Sequence, residues 1–187
     1  DVAYAEARTA QDQDQAGARG DGPAHLAGDV DRVALARAVR DVAARHEVLR
    51  THVRVVDGEP VLDVVEPEDL PELLRCMTHI GDPDAAMRRL AVEPFDLVEE
   101  LPLRVHLIAE PGGWILLIVV HHIAADGVSM EPLARDLGEA YAARRDGTPW
   151  EREPLEVQYA DFAAWQRELL GDVHDPGSLA HEQIEYW

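Results

Sequence analysis

Seven apolar residues, Trp114 to Val120, run without a break into two adjacent histidines, His121 and His122. An Asp-Gly pair, Asp126-Gly127, follows three residues later, and a helical pattern starts near Ser129. A continuous run rich in Ile and Val predicts a strand buried on both faces. The order is then buried strand, polar turn, helix, with ionisable groups waiting where a rigid element ends.

The rest of the pattern builds outward from that strand. Leu35, Val39, Val42, His46 and Leu49 recur at helical spacing, and Asp31 is placed to cap the amino end. Thr51 to Val56 and Val61 to Val65 flank Asp57-Gly58, which predicts a β-hairpin. Leu70 to Met77 and Pro83 to Val92 read as short helices, the second capped by Asp82 with Pro83 in its first turn. Leu103 to Ala109 predicts a strand that turns at Glu110 to Gly113 into the buried run. Met130, Leu133, Leu137 and Tyr141 form a helical stripe, and a last amphipathic piece carries Phe162, Trp165 and Leu169, where Phe162 and Trp165 are expected to be core. Residues 1–24 are polar and Gly-rich and are expected to be a flexible or divergent leader to a domain that spans residues 25–187. The fold class is α+β, a mixed sheet with helices.

Composition narrows the function classes. A net charge of −20 argues against nucleic acid, whose phosphates demand a basic surface. No apolar run approaches the roughly 20 residues of a membrane span, and no signal peptide is visible. Cys76 is the single cysteine, so no intrachain disulfide forms and the expected location is cytoplasmic. No activating motif lies beside Cys76, and it is expected to be a buried, inert thiol.

Neighbouring residues of a strand point to opposite faces. His121 shares its face with Val119 and Leu117, and His122 shares the other with Val120 and Ile118. That geometry counts against one metal bound by both, and no metal site is expected. A histidine facing a cleft can serve as general base or hydrogen-bond donor, since its ordinary pKa lies near neutrality. The competing reading is two satisfied histidines at a strand end. Gly127 permits close approach of a backbone N–H to a reacting carbonyl. No Gly-x-Ser-x-Gly elbow exists, and Ser129 reads as a helix cap, so a serine hydrolase is not indicated.

Val120 to Ser129 resembles the HHxxxDG motif of condensation domains of nonribosomal peptide synthetases. Arg45-His46-Glu47-Val48-Leu49-Arg50-Thr51 is similar to their RHExLRT motif. Pro94-Phe95-Asp96-Leu97, followed by Pro102-Leu103-Arg104, is similar to PFDL…PL, and Tyr159 to Trp165 to YxDFAxW. The resemblance implies a chloramphenicol-acetyltransferase-like lobe, the amino-terminal one, with a second lobe expected to be absent from this chain.

The resemblance further implies peptide-bond formation. The amine of an aminoacyl group on a downstream peptidyl carrier protein attacks a thioester on an upstream one, both held on 4′-phosphopantetheine arms, with adenylation and carrier domains adjacent. It assigns catalysis to His122 within the His121, His122, Asp126, Gly127 motif, with Asp126 structural, generally through an arginine. Gly127, Val128 and Ser129 are expected to line the substrate tunnel. Arg45 and Arg50 are expected to support the site, or else to be solvated helix ends. His46, His52, His79, His106, His174 and His181 receive no catalytic role, and no cofactor is expected to be bound by the chain itself. Two alternatives stay open: a non-catalytic carrier-protein docking module, and a stand-alone HxxxD acyltransferase using acyl-coenzyme A.

Overall fold

The structure, a computed structural model, describes residues 2–5, 24–78 and 81–187. In chain order the elements are β1 (Val2–Ala5), β2 (Ala24–Ala27), α1 (Arg32–Arg45), β3 (Thr51–Val56), β4 (Glu59–Val64), β5 (Leu74–Met77), α2 (Pro83–Ala91), β6 (Leu103–Glu110), β7 (Gly113–His121), α3 (Met130–Arg145), α4 (Tyr159–Leu170) and α5 (Leu179–Tyr186). They fall into two compact units, residues 1–153 and 154–187.

Strand β7 is central to the first unit. It pairs antiparallel with β6 from Leu103↔Val120 to Glu110↔Gly113, through a turn in which Gly112 has φ 93°. Its other edge is shared by β2, antiparallel opposite Gly113 to Leu116, and β1, antiparallel opposite Ile118 to His121. Strand β5 adds to β6 in parallel, which makes the sheet mixed. Gly113 is required by closeness: a Cβ there would lie 2.3 Å from the Leu26 carbonyl oxygen. The β3–β4 hairpin forms its own two-stranded sheet, and its Asp57-Gly58 turn has φ values of 53° and 87°, both positive as a type I′ turn requires.

Alternation along β7 divides the core. Leu116, Ile118 and Val120 face one apolar cluster, which contains Leu35, Val39 and Val42 of α1 and Leu133 and Leu137 of α3. Ile115, Leu117 and Val119 face the other, with Leu90 and Met87 of α2 and with Phe95. Both faces are therefore dry, as a continuous apolar run requires. Helix α1 starts where Asp31 accepts hydrogen bonds from the Val33 and Ala34 N–H groups at 3.0 and 2.9 Å. The helix expected over Pro83 to Val92 is present as Pro83–Ala91 with Asp82 as its cap, and both expected hairpins are present.

Four expectations are corrected. Leu70–Met77 is not helical. Leu74–Met77 pairs instead in parallel with Val105–Ile108, and the Arg40 guanidinium holds the preceding turn by the carbonyls of Pro67, Glu68 and Leu70 at 2.6–2.9 Å. Cys76 is exposed on that strand rather than buried. Within the expected leader, Val2–Ala5 is a strand that completes the edge of β7; most of residues 1–24 lie outside the described residues, as does His79. Phe162 and Trp165 are 42% and 56% exposed rather than core. In that second unit α4 is started by a capping box, the Gln158 N–H donating to Asp161 Oδ2 at 2.9 Å, and it carries Tyr159, Phe162 and Trp165 as one ring-to-ring series.

His106 of β6, opposite Leu117, is 2% exposed, and neither ring nitrogen has a hydrogen-bond partner among the described residues. Burial, followed by the nearby Arg75 and Arg104 charges and against the Glu93 carboxylate, lowers its pKa to about 4. Unfolded chains take up this proton near pH 6.5, folded ones only near 4, so acid between those values favours unfolding, by up to roughly 3 kcal/mol. Expected for His106→Leu is stability at pH 7 equal to or above wild type, and an advantage over wild type that grows from pH 6.5 down to 4 in denaturant titrations. Parallel acid limbs for the two proteins would contradict it.

Candidate functional site

Strand β7 ends at His121, and the ladder ends with it. The His121 N–H donates to the Pro102 carbonyl at 2.9 Å. Its imidazole continues the face of Leu117 and Val119 and meets the Phe95 ring edge-on, centroids 5.7 Å apart. Nδ1 accepts from the Ile123 N–H at 3.1 Å, which places the neutral ring's proton on Nε2. Burial first, and then the neighbouring His122, lower the His121 pKa. His121 is thus a ring held in place, and its nitrogen shapes the turn that follows.

Phe95 is fixed in turn. The Arg104 guanidinium, 6% exposed near the start of β6, lies 3.9 Å from the centre of the Phe95 ring. It makes four hydrogen bonds: to the carbonyls of Glu93 and Pro94 at 2.9 and 2.7 Å, and to the Glu100 carboxylate at 2.5 and 3.0 Å. Burial raises the Glu100 carboxyl pKa, but the bonds from Arg104 and the Asp96 N–H outweigh it and hold the group below its ordinary value. The Pro-Phe-Asp…Pro-Leu-Arg stretch is therefore a clamp, built on one guanidinium, that presses a ring against His121.

His122 lies beyond the strand and is exposed, as are Ile123, Asp126, Gly127 and Val128, while Ala125 and Met130 anchor the turn in the core on the α1–α3 side. The Ala124 N–H closes the first bend on the His121 carbonyl at 2.8 Å. Asp126 and Ser129 close the second: Asp126 Oδ1 accepts from the Ser129 N–H and hydroxyl at 2.9 and 2.6 Å. Those two bonds lower the Asp126 pKa, the hydroxyl contributing most. Ser129 occupies the cap position of α3, but its hydroxyl serves Asp126 rather than the helix, which corrects its reading as a side-chain cap. No arginine pairs with Asp126 among the described residues. Gly127 lies outside the left-handed region, and a Cβ there would meet nothing within 4 Å, so the fold leaves this position open.

Arg45 and Arg50 sit away from the turn and are not merely solvated helix ends. Arg50 is 6% exposed and donates to the Val65 and Ala44 carbonyls at 2.5 and 3.3 Å, tying the end of α1 to the end of β4. Arg45 donates to Asp136 of α3 at 2.7 Å, and its guanidinium lies 5.9 Å from the Trp150 ring centre. Asp136 and Arg104 are buried, paired charges that lie outside the residues the motif assigns to the site. Among the described residues no group of three or more His, Cys, Asp or Glu side chains is arranged to hold a metal, and no helix is long and apolar enough to cross a membrane.

The Condensation domain family profile matches residues 21–187, and the chain belongs to that family. It is 45% identical over 165 residues to the probable non-canonical nonribosomal peptide synthetase CymA of Salinispora arenicola (strain CNS-205), which covers 87% of this chain and 2% of that protein. A dimodular nonribosomal peptide synthase of Bacillus subtilis (strain 168) is 42% identical over 166 residues, 87% of this chain and 7% of the relative. The chain thus spans only a small part of the curated relatives it matches. Among solved structures, the X-domain from teicoplanin biosynthesis superposes with a TM-score of 0.74 at 37% identity, over 87% of this chain and 36% of that one. The mixed sheet with flanking helices is the lobe fold that these relatives share.

The clamp makes a prediction of its own. Arg104→Lys keeps the charge and loses the planar fork, leaving at least one of the buried acceptors unserved. The expected cost is about 2 kcal/mol in a denaturant titration, with a shift of the His121 imidazole signals. An unchanged midpoint with unchanged His121 signals would contradict the clamp.

Proposed function

We propose that this chain supplies the catalytic wall of a condensation site in nonribosomal peptide synthesis. In the proposed reaction the amine of an aminoacyl group on a downstream carrier protein attacks the thioester carbonyl of an acyl or peptidyl group on an upstream one. The N–C bond forms, the C–S bond breaks, and the amine's proton ends on the departing phosphopantetheine thiol. The supporting observation is the contrast at the end of β7: His121 is engaged by Phe95 and the Ile123 N–H, whereas His122, the next residue, is exposed beyond the buried strand.

His122 is the group placed to orient the incoming amine or to accept its proton. Alignment of two tethered reactants is worth roughly 7–11 kcal/mol, and a general base contributes about 10²–10⁴-fold. Asp126 acts here by closing the turn with Ser129. Gly127, with Val128 and Ser129, forms the surface along which the pantetheine arm runs; an open position with no Cβ suits close approach of a substrate. Arg45, the last residue of α1, and Arg50, in the turn that follows it, support the wall. The site's other wall is a second lobe, and carrier and adenylation domains are the partners.

The test is amide formation by the full protein from donor and acceptor thioesters loaded on carrier proteins. His122→Ala is expected to lower the rate by about 10²-fold or more. Gly127→Ala is expected to leave the unfolding midpoint unchanged while raising KM or lowering kcat. Full activity of His122→Ala would overturn the assignment. Turnover with free acyl-coenzyme A, and none with carrier-bound donor, would favour an acyl-coenzyme A-dependent transferase instead.

A further inference from the structure

One polar cluster lies in the core rather than at the turn. Asp136 of α3 is 2% exposed, and its Oδ2 is met by two groups from the end of α1: Arg45 Nη1 at 2.7 Å and His46 Nε2 at 2.8 Å. The Arg135 guanidinium stands 3.8 Å from Oδ1. A carboxylate this deep is costly unless it is paired, and removing a partner leaves a buried charge uncompensated. It therefore fixes the pairing geometry closely. Asp136 lies in the second turn of α3, about 9 Å along the axis from Met130, where the His122–Ser129 turn enters the helix. Arg45 also reaches the Glu153 carbonyl at 3.4 Å, so the same guanidinium touches the segment that follows α3.

We propose that Asp136 is a positioning residue for the site. Held by Arg45 and His46, it sets the rotation and register of the first turns of α3 against α1, and so the placement of the turn that carries His122, Asp126 and Gly127. The Arg45-His46 pair thus acts on the site through the helix that follows the turn and not through Asp126. A second ion pair joins the same two helices and provides the internal comparison. Arg144 donates to both Asp41 oxygens at 2.6 and 2.7 Å, eight residues further along α3 and away from the turn. If the ion pairs only held the helices together, loss of either would loosen the turn equally. If Asp136 positions the turn, only its own pair should matter.

This inference rests on the condensation reading for its effect on rate, but not for its effect on structure. Amide hydrogen exchange on the full chain separates the two. Asp136→Asn is expected to speed exchange at the Ser129 and Leu133 N–H groups by about tenfold or more, while β6–β7 amides and the Asp41→Asn variant stay near wild type there. His46→Gln, which keeps the Asp136–Arg45 pair, serves where Asp136→Asn fails to fold, with a smaller rise at the same amides. In the carrier-bound assay Asp136→Asn is expected to lower kcat by about tenfold with little change in KM. Unchanged exchange at Ser129 and Leu133, or an equal rise with Asp41→Asn, would overturn the proposal. A wild-type protein that forms no amide would instead remove the condensation reading and leave the exchange result to decide the role of Asp136.

Discussion

Strand β7 has hydrogen-bonded neighbours on both edges and apolar clusters on both faces. Every backbone group along it must be paired inside the fold, because none can reach water. Such a strand cannot deviate without breaking ladders on two sides, so its carboxyl end is a fixed point. The chain can release a side chain to solvent only where the ladder stops, and it stops between His121 and His122. The different fates of two identical neighbouring residues follow from that single constraint.

Two polar devices extend the rigidity beyond the sheet. One is the Arg104 guanidinium, whose hydrogen bonds and ring contact make the Pro94–Arg104 stretch a brace for His121. The other is the Asp136 carboxylate, which joins the end of α1 to the start of α3. Both are buried charges with partners, and neither contributes much apolar burial. Their value lies in specificity of placement: a hydrophobic contact tolerates sliding, whereas a fork of short hydrogen bonds does not. The turn between these anchors is short and bonded to itself, through Ala124 to His121 and Ser129 to Asp126.

Much of this was legible in the order of residues. The buried strand, both hairpins, the Asp31 cap and the facing of His121 follow from periodicity, turn chemistry and the two-residue repeat of a strand; His122 lies past the strand end, where that repeat no longer applies. The stretch Leu70–Met77 misled because Leu70, Leu73, Leu74 and Met77 fall at helical spacing. It pairs instead with the edge of β6, a partner about thirty residues away that local pattern cannot show. Phe162 and Trp165 misled because helical spacing reports an apolar face but not what covers it. The buried charges did carry a signal. Asp136 sits beside Leu133 and Leu137 on the apolar side of its stripe, and Arg104 stands between Leu103 and Val105 in a strand buried along most of its length. A charge in such a place must have a partner, although the sequence does not say which.

Nitrogen-15 NMR of the imidazoles, followed with pH on the full chain, tests most directly the claim that the end of β7 splits the histidine pair. The account predicts that neutral His121 carries its proton on Nε2, with Nδ1 accepting from the Ile123 N–H, and that it titrates below the ordinary histidine value of 6.5. It also predicts that Phe95→Ala perturbs the His121 signals far more than those of His122. A His121 that carries its proton on Nδ1 and titrates at or above 6.5, or two histidines that respond alike to loss of Phe95, would contradict it.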